Sequence, residues 1–452
     1  MYKMGGGGLG DGKTAFGFEN GQLIYTQFNE SEVKNNAAST DSIAIGDGAG
    51  GNNGENVAGT QGARALAIGH DSGQTNQGTG AIALGPNAGN EGQGATAISI
   101  GFTAGEDSQK AHAVSIGTRA GNSEQGTNAV AIGHNAGVTR QGDNAVAIGG
   151  GDNCTGKTNQ GASAVAIGDS AGCTDQGQFG IAIGFEAGNK DQGARGIAIG
   201  VQSGQTNQAV DAIAMGKGAG GSDQLTKAVA IGYEAGFVTQ GQDAVAIGDS
   251  AGKSNQLTSA VAIGNLAGET DQNARAVAIG ETAGQTNQGN KTNGDPGTLF
   301  SVAVGTGAGT TNQEEGAIAI GHNSGNRDQG TCAIAIGYAA GEAIEPAVGQ
   351  GENAIAIGQA SGAGNQGEAS IAIGVNSGRT DQGSNAVAIG NAAGFQNQHP
   401  GTVILNSTGV ALNSDGNNRF YVKTLRNLEG TMTGFFPLFH NPTTGEIAYN
   451  HT

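Results

Sequence analysis

Carboxylates, histidines and cysteines are the side chains of this chain most able to do chemistry, so their spacing is weighed first. Asp175-Gln176, Asp191-Gln192 and Asp271-Gln272 put carboxylates at matching points of a recurring segment. Two carboxyl groups flanking a glycosidic bond are the machinery of glycan hydrolysis. With 38 Asp and Glu spread over 452 residues, however, chance pairs are plentiful, and corners of the chain already account for these. His70, His134 and His322 also occupy one recurring position, but in copies that are not adjacent, so they read as exposed turn residues and not as a metal cluster. Cys154, Cys173 and Cys332 are an odd count without metal-ligand spacing. The run from Gly5 to Gly8 before Leu9-Gly10-Asp11 occurs once, whereas calcium-binding nonapeptide arrays repeat it. The glycines also lack the Lys-Ser/Thr pair of a phosphate loop. No catalytic residue, cofactor or metal is expected.

The polar side chain that does recur at fixed spacing is glutamine. Gln77, Gln93, Gln125, Gln141, Gln192, Gln240, Gln288 and Gln382 belong to one series that runs from Gln61 to Gln398. Stacked identical amides can bond to the copies above and below them, which makes a ladder. Such a ladder satisfies polar groups that are costly to bury alone. Asn or Asp precedes the Gln in fourteen of twenty-one cases, as at Asn76, Asp175, Asn207 and Asp381, and these types tolerate the left-handed backbone of a corner.

The element that must carry this ladder is the run Ala129-Val130-Ala131-Ile132-Gly133, which returns sixteen residues later as Ala145-Val146-Ala147-Ile148-Gly149. Its closing glycine recurs twenty-one times between Gly46 and Gly390, and sixteen of the twenty intervals are 16 residues long. The others are 23, 19, 25 and 21 residues, with the extra residues in turns near 51–59, 150–157, 290–299 and 342–348. A fixed short period means a solenoid. Period-two alternation makes the run a strand, with Ile or Val on one side and Ala on the other. Both sides are apolar, so both require cover, yet a roll has only one inside. That predicts an oligomer. The bulkier row, including Ile132, Ile148, Ile183, Ile231, Ile263 and Ile373, is assigned to the core, although alternation by itself does not orient the two rows. Sixteen residues suit a flattened roll of two sheets, and twenty-one coils give a shaft of roughly 100 Å.

Composition agrees with an elongated, non-catalytic body. Gly is 88 of 452 without a strict every-third pattern, which excludes collagen. A net charge of −18 argues against nucleic acid and anionic membranes as partners. No apolar run reaches 18 residues, so no membrane insertion is expected. Met1 to Gly10 has no basic-then-apolar leader. Three regions follow: 1–40, an attachment or capping segment with a strand near Gln22–Phe28; 41–398, the repeat shaft; and 399–452, a small β cap rich in aromatics that blocks edge-to-edge growth. A six-residue [LIV]-G-x-x-x-x rhythm, the mark of hexapeptide acyltransferases, is absent.

The strand-and-turn unit, as in Asn128-Ala129-Val130-Ala131-Ile132-Gly133, resembles the head repeats of trimeric autotransporter adhesins, although the adhesin repeat is shorter. The resemblance covers residues 41–398 and implies a left-handed parallel β-roll with three chains around one axis. Arg419-Phe420-Tyr421-Val422-Lys423 with Asn441 to Tyr449 is similar to segments of fibre proteins from large DNA viruses and marine phages, which implies a virion fibre. The expected protein is thus all-β, a homotrimeric structural or adhesive fibre on a virion or cell surface. It would meet a host-surface receptor or glycan, with other structural subunits at its ends. The alternative is an ice- or glycan-binding solenoid. Ice binding calls for regular Thr rows, and Thr75, Thr158, Thr206 and Thr286 recur irregularly.

Overall fold

The computed structural model describes residues 41–51, 61–150, 155–289, 300–344 and 349–423, together with the strand backbones Lys13–Glu19, Gln22–Phe28, Leu438–His440 and Ile447–Tyr449. The glycine-rich lead, most of the residues inserted at the four long intervals, and the turn at Pro442 to Gly445 lie outside the described residues. Among those described there is no helix.

One coil serves for all. Val130–Ile132 forms the first strand, and Gly133 ends it with φ 117°. A turn through Asn135 at φ 58° and Gly137 at φ 57° leads to the second strand, Thr139–Gln141. A second turn through Asn144 at φ 59° returns the chain to Val146, one coil higher. Left-handed backbone strains most L-residues and suits Gly, Asn and Asp, which is why those types crowd the turns. The turns are themselves hydrogen-bonded between coils: Asn135 N–H donates to Thr118 O at 3.0 Å, and Asn144 N–H to Thr127 O at 2.8 Å. Sequence period and backbone period therefore coincide throughout the coil.

Stacking is parallel and in register, Val130 on Val146, Ala131 on Ala147 and Ile132 on Ile148. The long sheet so formed has 23 strands, from Ile43–Ile45 to Phe420–Lys423, and each of its end strands has one partner in it. The second strands build a shorter facing sheet in two pieces, of five and seven strands, linked by bridges through Thr206. The closing glycine is required by close approach as well as by φ. A Cβ on Gly117 would sit 2.7 Å from Gly133 O in the next coil.

The inside of the roll is lined by alanine, which overturns the core assignment drawn from the sequence. Ala131, Ala147, Ala182, Ala230, Ala262 and Ala372 are fully buried. Ile148, Ile231, Ile263 and Ile373 point outward and are 36 to 37% exposed in the single chain. Ile132 and Ile183 also point outward, half-buried. The physical reason is room. The glutamine enters from the short sheet and must reach a carbonyl on the long sheet, so the facing strand residue must be small, Ala in most coils.

The long sheet does not stop at residue 398. Val403–Asn406 adds in parallel to Val387–Ile389, and Phe420–Lys423 adds to it in turn. Here Ile404 takes the place of the inner alanine and is fully buried with Ala388 and Ala393, while Leu412 and Tyr421 pack against it. Larger side chains thus close the thin core at this end. Lys13–Glu19 and Gln22–Phe28 pair antiparallel, as do Leu438–His440 and Ile447–Tyr449.

Candidate functional site

The interior holds one continuous polar feature. Gln141 Nε2 donates to Val130 O, eleven residues earlier in its own coil, at 2.9 Å, and to Gln160 Oε1 in the next coil at 3.1 Å. The same linkage runs from Gln77 to Gln398. Gln77 donates to Gln93, Gln125 to Gln141, Gln192 to Gln208, Gln240 to Gln256, Gln288 to Gln313 and Gln382 to Gln398, at 3.0 to 3.1 Å. All these amides point the same way along the axis. The interval of 25 residues between Gln288 and Gln313 leaves the link intact. The run begins at Gln77, whose Oε1, like that of Gln61, accepts no hydrogen bond among the described residues.

Two serines belong to the ladder and were not singled out from the sequence. Ser99 and Ser115 replace the inner alanine in consecutive coils, and their Oγ atoms donate to Gln109 Oε1 at 2.8 Å and Gln125 Oε1 at 2.7 Å. The signal was present: a hydroxyl twice in succession at a position otherwise held by Ala. The ladder braces the two sheets. It exposes nothing to solvent, since Gln93, Gln125, Gln192, Gln240 and Gln288 are at most 1% exposed.

Two outer faces remain. The long sheet presents two aliphatic side chains per coil over its whole length. Three strand residues by twenty-one coils amount to roughly 1,000 Å² of apolar face. The short sheet presents a polar face, with hydroxyls in columns, for example Ser254 on Thr270 and Thr270 on Thr286. Next to each hydroxyl stands the left-handed residue that precedes the glutamine.

Ionisable groups pair along the axis. Arg195 binds Asp211 through two nitrogens, at 2.5 and 2.9 Å, and that contact holds the Asp211 carboxyl below its usual range. Lys253 meets Glu234 at 2.7 Å, and the bonds from Lys253 and then Tyr233 lower the Glu234 carboxyl. Burial pushes the Glu342 carboxyl up, against the opposing influence of His322 and Arg327. His322 stacks on Tyr338 in the adjacent coil, with ring centroids 5.3 Å apart, and His70 contacts Asp71 at 3.0 Å. The three histidines do not meet. Asp175, Asp191 and Asp271 lie on the short-sheet face, where Asp175 accepts from Asn159 and Asp271 from Asn255. Cys173 is in a disulfide, Cys332 is free and exposed, and Cys154 lies outside the described residues. Among the described residues no group of three or more His, Cys, Asp or Glu is placed to hold a metal, and no helix is long and apolar enough to cross a membrane.

At the far end, Asn406 is buried and fully engaged. Its Nδ2 donates to Asn391 O and Val410 O, and its Oδ1 accepts from Thr408. Asp415 accepts from Tyr421 and Arg419, which together hold its carboxyl low.

With this geometry in place, the strand, the inner alanines and the glutamine together define one repeat type. Two stretches match the YadA head domain repeat: residues 125–151 and 350–377. The first carries Gln125, Gln141 and the strands Val130–Ile132 and Val146–Ile148; the second carries Gln350, Gln366 and the strands Ile355–Ile357 and Ile371–Ile373. One matched stretch lies several coils inside the shaft and the other close to its C-terminal end, and both have the same strand-and-glutamine architecture. Comparison with curated proteins and with solved structures finds no match.

Proposed function

We propose that the protein is a structural and adhesive fibre, a rigid homotrimeric β-roll displayed on a virion or cell surface. The observation that carries this reading is the continuous aliphatic face of the long sheet. Folded monomers rarely leave more than about 300–600 Å² of contiguous apolar surface exposed, and larger patches mark interfaces. A stable interface buries about 800 Å² per partner, within the reach of this face. Two further copies of the same face, in the same register, cover it along the whole shaft. The match to YadA head repeats supports three-fold, surface-displayed assembly, and the resemblance of Arg419 to Lys423 to viral fibre segments favours a virion setting. The N-terminal hairpin and the C-terminal closure then serve as ends where other structural subunits dock, and a surface receptor is the partner at large.

Native mass measurement and light scattering test this directly. A trimer near three times 44.2 kDa is expected; a monodisperse monomer across a hundredfold range of concentration overturns it. A second reading, an ice-binding solenoid, draws support from the stacked hydroxyls Ser254, Thr270 and Thr286. Absence of thermal hysteresis in concentrated protein removes it.

A further inference from the structure

Among the described residues, the one before each glutamine sits in left-handed backbone, Gly349 excepted, and Asn and Asp meet that need equally well. Yet from residue 159 onward the two types keep a phase that the backbone does not require. The order is Asn159, Asp175, Asp191; then Asn207, Asp223, Thr239; then Asn255, Asp271, Asn287; then Asn312, Asp328, Gly349; then Asn365, Asp381, Asn397. The unit is three coils: Asn, Asp, then a variable residue. In each unit the amide donates to the carboxylate one coil away: Asn159 to Asp175 at 2.6 Å, Asn207 to Asp223 at 2.8 Å, Asn255 to Asp271 at 2.9 Å, Asn312 to Asp328 at 2.8 Å and Asn365 to Asp381 at 3.0 Å. Five equivalent amide–carboxylate pairs therefore stand in one line, three coils or about 14 Å apart. Avoidance of charge repulsion does not explain the phase, because Asp175 and Asp191 are adjacent.

The surroundings of the pairs suit a sugar. Hydroxyls stand beside most of them, as Thr158 and Thr174 do beside Asn159 and Asp175. At two pairs an exposed leucine adds an apolar platform, Leu225 and Leu257, 47 and 39% exposed. Asn255, Leu257, Asp271, Gln272 and Asn273 line a surface depression of about 290 Å³.

We infer that this line is a multivalent site for a neutral linear polysaccharide laid along the fibre. A carboxylate accepts from two neighbouring hydroxyls, the amide returns a donor, and the leucine covers a ring face, the mixed polar and apolar lining of ligand sites. The ligand is neutral because a line of carboxylates on a chain of net charge −18 repels anionic polymers. It is a chain and not a single sugar because five equal, exposed pairs are individually weak and gain by linkage. The inference rests on the trimer reading in one respect: the aliphatic face is turned inward, leaving the short sheet outermost.

The test is affinity electrophoresis of the full chain, its trimeric mass confirmed beforehand, in gels containing β-1,4-xylan, β-1,4-glucan, β-1,4-mannan or polygalacturonate. Retardation by at least one neutral polymer and none by polygalacturonate is expected. A five-site variant, D175N/D223N/D271N/D328N/D381N, keeps a bondable ladder, since Asn287 already donates to Asn312 at 3.0 Å. It should hold its trimeric mass and melting temperature and lose at least tenfold in affinity. A three-sugar fragment should bind at least a hundredfold more weakly than the polymer. A trimer that no neutral polymer retards, or a five-site variant that binds like the parent, overturns the inference and leaves the trimer standing. A monomer fails the trimer reading instead; its retardation by a neutral polymer, lost in the five-site variant, still supports the inference, and lack of retardation overturns both.

Discussion

Replacing Gln240 by leucine asks how much the internal ladder contributes. Gln240 is fully buried and sits in four hydrogen bonds: Nε2 donates to Val229 O at 2.9 Å, to Gln256 Oε1 at 3.0 Å and more weakly to Ala244 O at 3.5 Å, and Oε1 accepts from Gln224 Nε2 at 3.0 Å. Leucine is close in size, so little cavity forms and the change isolates the polar term. Val229 O and Gln256 Oε1 lose a donor, while Gln224 Nε2 loses one acceptor and keeps Ile213 O at 2.8 Å. An orphaned buried group costs about 1–3 kcal/mol. Gln256 Oε1 is orphaned outright, whereas Gln224 Nε2 keeps Ile213 O and Val229 O stays in the sheet pairing with the next strand, so the loss is about 2–3 kcal/mol. In a solenoid, where coils depend on their neighbours, the loss is local. Hydrogen exchange should therefore accelerate in the coils around residues 224–256 and remain unchanged near 366–398. Gln240→Glu adds a pH signature. Its carboxylate would face two acceptors, so its folded pKa is raised by burial. The extra penalty is absent below about pH 4.3, where folded and unfolded chains are both protonated, and grows as pH rises toward the raised value. Unchanged exchange around residue 240 in Gln240→Leu at neutral pH refutes an energetic role for the ladder.

Three more outcomes are expected. Ile231→Asp, on the outer aliphatic face, should leave the coil folded while converting trimer to monomer; circular dichroism and mass read the two effects separately, and loss of the sheet signal in the monomer contradicts the outward assignment. Gly137→Ala places a methyl group at φ 57° and 3.0 Å from Gln141 Oε1, so thermal unfolding should show a loss of at least about 1–2 kcal/mol. Glu342→Gln should raise the melting temperature at pH 7 and leave it unchanged at pH 3. A carboxyl whose folded pKa is raised penalises folding only above its unfolded value, and an equal shift at both pH values removes burial as the cause.

The period, the strand, the turn chemistry and the glutamine series were legible in the sequence because each depends on local geometry that repeats identically. Asn135 and Asn144 need left-handed backbone wherever the coil is placed, and the alternation of Val130, Ala131 and Ile132 makes a strand in any surroundings. The order of Asn and Asp over three coils was also present in the letters. It acquired meaning only when stacking put Asn255 within 2.9 Å of Asp271. The direction of the strand was not legible. Alternation divides residues between two sides without naming the inner one, and size favoured isoleucine. The tertiary structure reversed that choice because the two sheets are joined by a side chain. Gln141 spans the roll to Val130 O, and a side chain as small as that of Ala131 leaves it the space to do so. Ile132 and its equivalents are thereby turned outward, and the apolar face on which the proposed assembly rests follows from the reach of a glutamine.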